Sequence, residues 1–235
     1  MSLAALRELV CRANLALLEG GLVTGTFGNA SGLDREAGVM VIKPSGVPYA
    51  DLTPARMVPV ALATGKVLAG DLRPSSDTAT HLELYRAFAS CGGIVHTHSE
   101  CATALAQAGL PVRCLGTTHA DHFRSDVPVT RALTRKEVAR DYERETGRVI
   151  VETFRKARLS PEEVSAVLVR NHGPFAWGRD AAEAVEHARV LEYVARMEIL
   201  VLSTGARAPR PAVHLVDKHF LRKHGKAAYY GQRKK

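Results

Sequence analysis

Residues 92–100, GGIVHTHSE, place two histidines at the end of a short apolar run. The β-branched residues before them predict a buried strand that ends at the pair. Because alternate residues of a strand point to the same face, His96 and His98 project together while Thr97 faces away. Protonated imidazoles this close repel each other, so they serve better as neutral ligands to a cation. The pattern indicates either a metal site, which needs a third ligand, or two partly exposed histidines at a strand end.

A second apolar segment supplies a candidate for the third ligand. Residues 166–178, AVLVRNHGPFAWG, predict one strand that ends in a polar cluster containing His172. If this strand lies near that of His96 and His98 in one sheet, three neutral imidazoles meet and leave one coordination position open. That arrangement is typical of catalytic zinc. The alternative is a histidine that is satisfied at a strand–loop junction.

The composition is that of an ordinary globular protein. The chain has 235 residues, 46% hydrophobic and 24% charged, so we expect residues 1–235 to form a single domain. No apolar run approaches the roughly 20 residues that span a bilayer. Residues 1–21 have apolar side chains at helical spacing interrupted by charges, which predicts an amphipathic helix rather than a signal peptide. The four cysteines show no CxxC spacing, which indicates reduced thiols and a cytoplasmic protein.

The formal net charge is +8, and part of the excess lies in residues 217–226 and in the terminal QRKK at 232–235. No RNA-binding motif with interleaved aromatic residues and no zinc-finger spacing accompanies these charges. They indicate an anionic small substrate rather than a nucleic acid, and the tail is explained equally well as a solvated terminus. We expect neither a nucleic-acid partner nor a membrane partner.

The other segments predict hairpins and single helices. Residues 38–44 predict a strand, residues 50–57 a short helix and residues 58–70 a hairpin that turns at 64–66. Residues 22–34 carry glycines and small polar side chains with no strand pattern. We predict further helices over four segments: 74–92, 100–108, 134–157 (with a break near Gly147) and 180–204. The mixture favours a sheet with much antiparallel pairing, covered by helices on both faces.

Three short segments offer backbone N–H groups to an anion. KPSG at 43–46 and PSSD at 74–77 place small hydroxyl residues where such groups are free, and GTFGNAS at 25–31 adds the Asn29 amide. None matches a nucleotide-binding loop, and each taken alone is equally an ordinary turn or cap. Asp77 follows two serines directly and is a candidate metal ligand, substrate ligand or helix cap.

Eight segments, in order and at matching spacing, resemble the class II aldolase and sugar-phosphate epimerase family, and within it the pentulose-phosphate 4-epimerases. They are GNAS, VIKPSGV, PSSDTATH, GGIVHTHS, GTTHADHF, ETGRVIVETF, HGPFAWG and DKHFLRKHGKAAYYGQ. The resemblance covers nearly the whole chain. It implies an α/β fold, a three-layer α/β/α sandwich with a central mixed, mostly antiparallel sheet. It also implies a homotetramer whose active sites lie between subunits, with residues 217–235 completing a neighbour's site.

The same resemblance implies a role for individual residues. It implies that His96, His98 and His172 bind zinc, or Mn²⁺ or Co²⁺ in its place, and that Asp77 belongs to the metal site. Asp121 and Tyr230 correspond to the catalytic acid/base pair, and the tyrosine is expected from the neighbouring subunit. The implied substrate- and phosphate-binding residues are Gly28, Asn29, Lys43, Ser45, Gly46, Ser75 and Ser76. The implied supporting residues are Thr117, Glu143, His219 and Arg222.

The implied reaction interconverts L-ribulose 5-phosphate and D-xylulose 5-phosphate. The hydrogen on carbon 4 is β to the carbonyl and is not acidic, so inversion requires cleavage of the C3–C4 bond, rotation of the aldehyde and bond re-formation. This needs one acid/base group on each face of the aldehyde. The alternative assignments are that Asp121 only orients His119 or His122, and that Tyr230 is a packed C-terminal aromatic.

Two other functions stay open from the sequence. Class II aldolases of the fuculose- or rhamnulose-phosphate type carry a glutamate where this chain has Asp77. An aspartate is one methylene shorter and less well placed for the same proton transfer, which favours the epimerase. A non-catalytic metal- or nucleic-acid-binding protein is the alternative outside enzymes.

Overall fold

The computed structural model describes residues 1–230, so residues 231–235, with the terminal QRKK and the end of the 217–235 segment, lie outside the described residues. The centre is a six-stranded sheet in the order β3-β2-β1-β4-β6-β5. All five neighbouring pairs in it are antiparallel. The strands are β1 (Asn29–Asp34), β2 (Val39–Ile42), β3 (Val58–Ala61), β4 (Gly93–His96), β5 (Ala166–Leu168) and β6 (Pro174–Gly178). The mostly antiparallel sheet is confirmed; within residues 1–230 the parallel contact is an isolated bridge between Val129 and Leu168.

Helices cover both faces of this sheet, as the α/β/α prediction requires. They are α1 (Leu3–Glu19), α2 (Thr78–Ala87), α3 (Glu100–Ala108), α4 (Thr117–Ala120), α5 (Arg135–Ala157), α6 (Ala181–Ser203) and α7 (Val213–His224). Alternate residues of β1 show the layers: Gly32 faces α1 and α6, whereas the Ser31 hydroxyl contacts Tyr85 of α2. Among the helices of residues 1–230, none is long and apolar enough to cross a membrane.

The central strand β1 was missed by the sequence prediction because its residues, NASGLD, are small and polar. The packing explains their size. A Cβ atom at position 32 would lie 3.0 Å from Val10 and 3.2 Å from Leu6, so the glycine lets α1 approach the sheet closely. On the other face the Ser31 hydroxyl finds partners in His81 and Tyr85. A strand between two closely packed helical layers therefore carries no apolar alternation.

The segment 166–178 is a hairpin, not the single strand that its apolar run predicts. β5 and β6 pair antiparallel, and the Val169 N–H donates to the Gly173 carbonyl at 2.9 Å across the turn. Asn171 adopts a positive φ of 63° there. His172 thus lies in a tight turn between two strands, which sets its direction more firmly than a strand end would.

The helix predictions for residues 1–21, 100–108 and 180–204 are confirmed by α1, α3 and α6, and α2 lies within 74–92. The long helix α5 is also present, but its break is at Asp141 (φ −162°, ψ 77°) rather than near Gly147. Gly147 serves packing: a Cβ atom there would lie 2.7 Å from the Cβ of Glu83 on α2. The short helix predicted over 50–57 is instead two 3₁₀ turns, Tyr49–Asp51 and Pro54–Arg56.

Both edge strands of the sheet are covered by a neighbouring segment. On β3, the Ala61 N–H donates to Lys66 and the Leu68 N–H donates to Pro59, so the predicted hairpin over 58–70 is a strand with a short bridging segment. On β5, the Leu168 N–H donates to Pro128 and its carbonyl accepts from the Thr130 N–H. The backbone groups at the two edges are therefore partly paired.

Candidate active site

Three histidines meet at one end of the central strands. His96 is the last residue of β4, His98 follows two residues later, and His172 lies in the β5–β6 turn. One nitrogen from each ring lies within 4.8 Å of the others, and the Nε2 atoms of His96 and His98 are 3.1 Å apart. Thr97 is buried and His98 is exposed. The histidine cluster predicted from the two motifs is therefore formed within one chain.

Two glycines allow the backbone segments around the cluster to approach. A Cβ atom at position 173 would lie 2.7 Å from the Thr97 carbonyl and 3.3 Å from the His98 ring. Gly28 has a φ of +78°, and a Cβ atom there would lie 2.9 Å from the His96 carbonyl. The turn of His172 and the segment before β1 thus reach the end of β4 because they carry no side chain at these contacts.

Two imidazoles of the cluster, those of His98 and His172, have a lowered pKa that favours the neutral form. The His96 Nδ1–H donates to the Pro174 carbonyl at 2.9 Å, which directs Nε2 toward His98. Burial, and then the neighbouring His96, lower the pKa of His172 to about 4 and the pKa of His98 below its usual range. In the tautomer that leaves its Nε2 free, His172 donates from Nδ1 to the Tyr142 hydroxyl, 3.2 Å away.

The residues present fit a divalent cation. In the tautomers that leave both Nε2 atoms unprotonated, the lone pairs of His96 and His98 face each other at 3.1 Å, and a cation between them would remove their repulsion. Tetrahedral zinc with bonds of about 2.0 Å would place its ligand nitrogens about 3.3 Å apart, close to the spacing of this pair, and the third nitrogen lies within 4.8 Å. His98 is the exposed member of the cluster, so a cation held by the three histidines would be reachable from solvent on that side.

Asp77 lies beside the cluster at the N-terminal end of α2 and is held by Asn29. The Asn29 Nδ2–H donates to Asp77 Oδ2 at 2.7 Å, and no cap bond from the Asp77 side chain to its helix is formed. Within residues 1–230, the group of mutually close ligand atoms contains the three histidines and not this carboxylate. Burial raises the pKa of Asp77, but His96, His81 and the Asn29 amide outweigh it and lower the pKa below its usual range. Its role as a metal ligand stays a prediction.

The predicted anion-binding segments run side by side next to this carboxylate. The Ser75 N–H donates to the Lys43 carbonyl and the Ser45 N–H donates to the Arg73 carbonyl, both at 2.9 Å. The Ser75 hydroxyl accepts from Asn29 at 3.0 Å, and Asn29 pairs with His96 across β1 and β4. The sheet register therefore brings the predicted phosphate-binding residues to the histidine end.

Three other members of that predicted set show distinct environments. Lys43 is buried; its Nζ donates to the Thr26 carbonyl at 3.3 Å and lies over the Tyr49 ring, and burial lowers its pKa. Gly46 has a φ of +69° with open space around its α-carbon, and Ser76 is exposed. The last two leave room for a ligand.

The predicted acid/base residues lie together on a second structure, which we call the α4–α7 unit (Asp121 at the end of α4, with residues 213–230). The Asp121 carboxylate accepts from His219 Nδ1 at 3.0 Å and from Arg222 Nη2 at 2.8 Å. Burial raises the pKa of Asp121, but these two donors lower it below its usual range. The Tyr230 ring lies 4.7 Å from the Arg222 guanidinium and is 59% exposed.

The α4–α7 unit lies toward the opposite end of β4 from the histidines. Lys223 and His224 of this unit line a cavity of about 360 Å³ together with Gly178. Gly178 pairs with Gly93, the first residue of β4, whereas the last residue, His96, pairs with Phe175. Among residues 1–230, the side chains that contact the Asp121 carboxylate all belong to α7. A single chain therefore does not bring Asp121 and Tyr230 to the histidine cluster.

Comparison with known proteins identifies the family of this fold and site. A sequence model of the class II aldolase and adducin N-terminal domain matches residues 8–199. The chain belongs to this family. The structure of an L-fuculose 1-phosphate aldolase is 27% identical with a TM-score of 0.75, covering 91% of this chain and 95% of that one. YgbL from Escherichia coli, a putative aldolase/epimerase/decarboxylase, is 26% identical with a TM-score of 0.72, covering 92% and 98%.

A third structure in the class II aldolase family comes from Thermus thermophilus and is described as an L-fuculose-1-phosphate aldolase. It is 28% identical with a TM-score of 0.66, covering 89% of this chain and 99% of that one. These matches confirm the predicted family and the α/β fold.

The alternative assignments of Asp121 in this class II aldolase domain can be compared with its contacts. His119 contacts the Ser125 carbonyl at 2.8 Å and His122 contacts Lys223 Nζ at 3.3 Å, so the imidazole that meets the Asp121 carboxylate is that of His219. Of the other predicted supporting residues, Thr117 accepts the Asp121 N–H at 2.9 Å through its carbonyl. Glu143 lies on α5, where its carbonyl accepts from the Thr80 hydroxyl.

Sequence reasoning missed aromatic residues beside the histidines, among them Phe27, Tyr142 and Phe175, whose ring stacks on His96 with centroids 4.2 Å apart. Phe27 stacks on His98 with ring centroids 5.7 Å apart and planes 15° apart, although 60% of it is exposed. The sequence feature that could have indicated Phe27 is that it is a lone aromatic residue inside the glycine-rich segment 25–31. Tyr142 reaches His172 from α5, one residue after the kink at Asp141. Nothing local in the sequence indicates that kink.

Proposed function

We propose that the chain is a zinc-dependent L-ribulose-5-phosphate 4-epimerase. It interconverts L-ribulose 5-phosphate and D-xylulose 5-phosphate by retro-aldol cleavage between carbons 3 and 4, rotation of the aldehyde and re-aldolisation. Membership in the class II aldolase family supports a metal-dependent sugar-phosphate enzyme. The choice of epimerase rests on Asp77, whose short carboxylate is held by Asn29 beside the histidines where the family's aldolases carry a glutamate.

The histidine end provides binding and orientation in this proposal. His96, His98 and His172 hold the cation, which when bound supplies Lewis-acid polarisation of the substrate carbonyl. The Asn29 amide, the turn at Ser45 and Gly46 and the hydroxyls of Ser75 and Ser76 hold the phosphate. Because the phosphate stays bound, the cleaved aldehyde rotates in place instead of leaving.

Proton transfer falls to Asp121 and Tyr230, one on each face of the aldehyde. Both residues belong to the α4–α7 unit, at the other end of the sheet from their own chain's histidines. The proposal therefore requires a second copy of the chain to deliver both residues, in a homotetramer with shared active sites. This extends the expectation from sequence, which placed only the tyrosine across the interface.

The proposed location is the cytoplasm. All four cysteines fall within the described residues and are free: Cys11, Cys91, Cys101 and Cys114. Free thiols are typical of a reducing compartment. The proposed small-molecule partner is a pentulose 5-phosphate.

The direct test is turnover of L-ribulose 5-phosphate by the zinc-loaded chain, with D-xylulose 5-phosphate and free glycolaldehyde phosphate both monitored. We expect the xylulose epimer without released aldehyde. Accumulation of aldehyde, or activity only on another sugar phosphate, would contradict the proposal. Absence of turnover with any sugar phosphate despite bound zinc would favour a non-catalytic metal-binding protein.

The second candidate is a class II sugar-phosphate aldolase, favoured by the names of the L-fuculose-phosphate aldolase structures. Asp77→Glu separates the two possibilities. In an epimerase the longer carboxylate should increase aldehyde release relative to epimerisation, whereas Asp77→Asn, the matched control, should lower both. If the wild-type chain already releases aldehyde as fast as it epimerises, the aldolase is correct.

A further inference from the structure

A chain of three buried polar side chains leads from the interior of the domain toward Asp77. Tyr85 and His81 on α2 and Ser31 on β1 each have 0% exposure. The Ser31 hydroxyl lies 2.8 Å from the Tyr85 hydroxyl and 2.7 Å from His81 Nδ1. Burying three polar groups is unfavourable unless their hydrogen bonds are complete, so the chain needs a structural or functional reason.

The number of hydrogen atoms on Tyr85, Ser31 and His81 selects the direction in which their hydrogen bonds run. If Tyr85 donates to Ser31 and Ser31 donates to His81 Nδ1, both hydroxyl hydrogens have acceptors and the ring proton lies on Nε2. In the reverse direction, Nδ1–H donates to Ser31 and Ser31 donates to Tyr85. The hydroxyl hydrogen of Tyr85 then has no acceptor among the contacts within residues 1–230, because Ser31 is the one side-chain partner of that hydroxyl. The first direction leaves fewer groups unpaired.

This direction makes His81 Nε2–H a buried donor without a partner. The Nε2 atom is buried and unpaired among the described residues. Burial lowers the pKa of His81 to about 3, so the ring is neutral and carries one N–H. An unpaired buried donor is rare in folded proteins and indicates that an acceptor or a water belongs beside it.

The nearest acidic group on the same helix face is Asp77. The two residues are four apart, and a helical side chain leans toward the N-terminal end of its helix, where Asp77 lies. The Asp77 carboxylate and the His96 ring both act electrostatically on His81. Asn29 already occupies Asp77 Oδ2, which leaves Oδ1 as the free acceptor.

We propose that His81 is a positioning residue. Tyr85 and Ser31 hold it in the Nε2–H tautomer, and Nε2–H donates to the Asp77 carboxylate through one buried water. Asp77 is then restrained by Asn29 on one oxygen and by His81 on the other. A carboxylate restrained on both oxygens has a fixed direction toward the histidine cluster and cannot swing into the role of a mobile proton-transfer base.

The tautomer is measured first, on the wild-type chain without substrate, because this result does not depend on the proposed function. Long-range ¹H–¹⁵N correlation spectra of ¹⁵N-histidine-labelled protein identify which ring nitrogen carries the proton, and His81→Gln assigns the signal. His187 is an internal reference of the opposite tautomer, since its Nδ1–H donates to the Trp177 carbonyl at 2.7 Å. We expect His81 to be protonated at Nε2. Protonation at Nδ1 would overturn the proposal.

A pair of variants then tests the hydrogen bonds from Tyr85 through Ser31 to His81. Ser31→Ala with Tyr85→Phe removes both hydroxyls without leaving one unpaired, which protects folding. Tyr85→Phe alone is the matched control, because Ser31 still donates to His81 Nδ1. We expect the double variant to lose the fixed tautomer and to bind zinc about tenfold more weakly, whereas the control keeps both properties.

The link to Asp77 has its own readout, which rests on the proposed epimerase function. The double variant should release a larger share of glycolaldehyde phosphate per turnover than Tyr85→Phe does. If both variants keep the tautomer, the zinc affinity and the product ratio of the wild type, His81 does not position Asp77. If the chain proves to be an aldolase, the tautomer and zinc results still decide the positioning role.

Discussion

The two ends of the sheet hold functional residues in different ways. The histidine cluster is set by the pairing of β1, β4 and β6 and by a tight turn, and glycines at 28 and 173 bring its backbone segments together. The α4–α7 unit is attached by ion pairs between a four-residue helix and α7. The difference teaches that one chain forms its whole histidine cluster. The residues proposed for proton transfer include an exposed tyrosine, which the proposed function assigns to another copy's site.

The largest expected effect, on zinc affinity and turnover, comes from removing one histidine of the cluster. Removing an outer partner of a metal ligand lowers affinity about 10–100-fold, so His98→Ala, which removes a ligand, should lower zinc affinity by more than about 100-fold and abolish turnover. Metal content after dialysis and the circular dichroism spectrum test this. The matched control is His214→Ala, an exposed histidine on α7, which should retain zinc. Full zinc retention in His98→Ala would contradict the site.

A substitution in the α4–α7 unit should lower activity without changing the zinc content. Tyr230→Phe should lower kcat by about 10²–10⁴-fold, the contribution typical of a positioned acid/base group, with unchanged zinc content. The neighbouring Tyr229→Phe is the control and should retain activity. Equal losses in the two variants would mean that the hydroxyl of Tyr230 has no special role.

Mixing the two defects sharpens the comparison. Tetramers assembled at random from His98→Ala and Tyr230→Phe chains should recover about a quarter of wild-type activity, because a quarter of shared sites receive both intact halves. Activity is measured after co-expression with two affinity tags. If mixed tetramers stay as inactive as the parents, each active site is formed within one chain.

A smaller effect is expected at the wall of the histidine cluster. Phe27→Ala removes the ring that stacks on His98, and aromatic pairs contribute about 0.5–1.5 kcal/mol, so zinc affinity should fall about two- to tenfold. Competition with a chelator measures this. Phe27→Trp keeps a stacking ring and should retain the affinity; a loss as large as that of Phe27→Ala would exclude stacking as the cause.

The smallest effect concerns the pH dependence of the α4–α7 unit. The folded-state pKa of Asp121 lies below its ordinary value of 3.8, so its ion pairs contribute stability that is present above about pH 4 and is lost as the pH falls through the folded pKa. Urea unfolding should show wild type more stable than Asp121→Asn at pH 7, with a gap that narrows below pH 4. Asp71→Asn, at an exposed loop position, is the control. If the difference in free energy of unfolding between wild type and Asp121→Asn widened in acid, the pKa of Asp121 would be raised by folding rather than lowered.

Local patterns predicted the histidine end well. His96 ends β4 and His98 follows two residues later, so the extended backbone at the strand end points both rings to one site. His172 was placed correctly although its strand was not, because the hairpin of β5 and β6 still returns the turn to the end of β4. The family resemblance supplied Asn29 and Ser75, whose contact joins residues 46 apart in the chain.

The missed features depend on packing between distant segments. β1 lacks apolar alternation because α1 and α2 press on its two faces, so NASGLD could not be recognised locally. The contact of Asp121 with Arg222 spans 101 residues, and its separation from the histidines depends on where the α4–α7 unit packs against the sheet. Side chains at the end of a strand can be predicted from the local sequence, whereas the position of a peripheral helix depends on packing between distant segments.

The covered edges of the sheet limit how copies of the chain can associate. Residues 66–68 take up hydrogen-bonding groups of β3, and residues 128–130 take up those of β5. An incoming strand would find few free backbone donors and acceptors at either edge, which disfavours both continuous intermolecular sheets and fibril growth. Association of copies, which the proposed function requires, would then use side-chain surfaces of helices and loops rather than strand pairing.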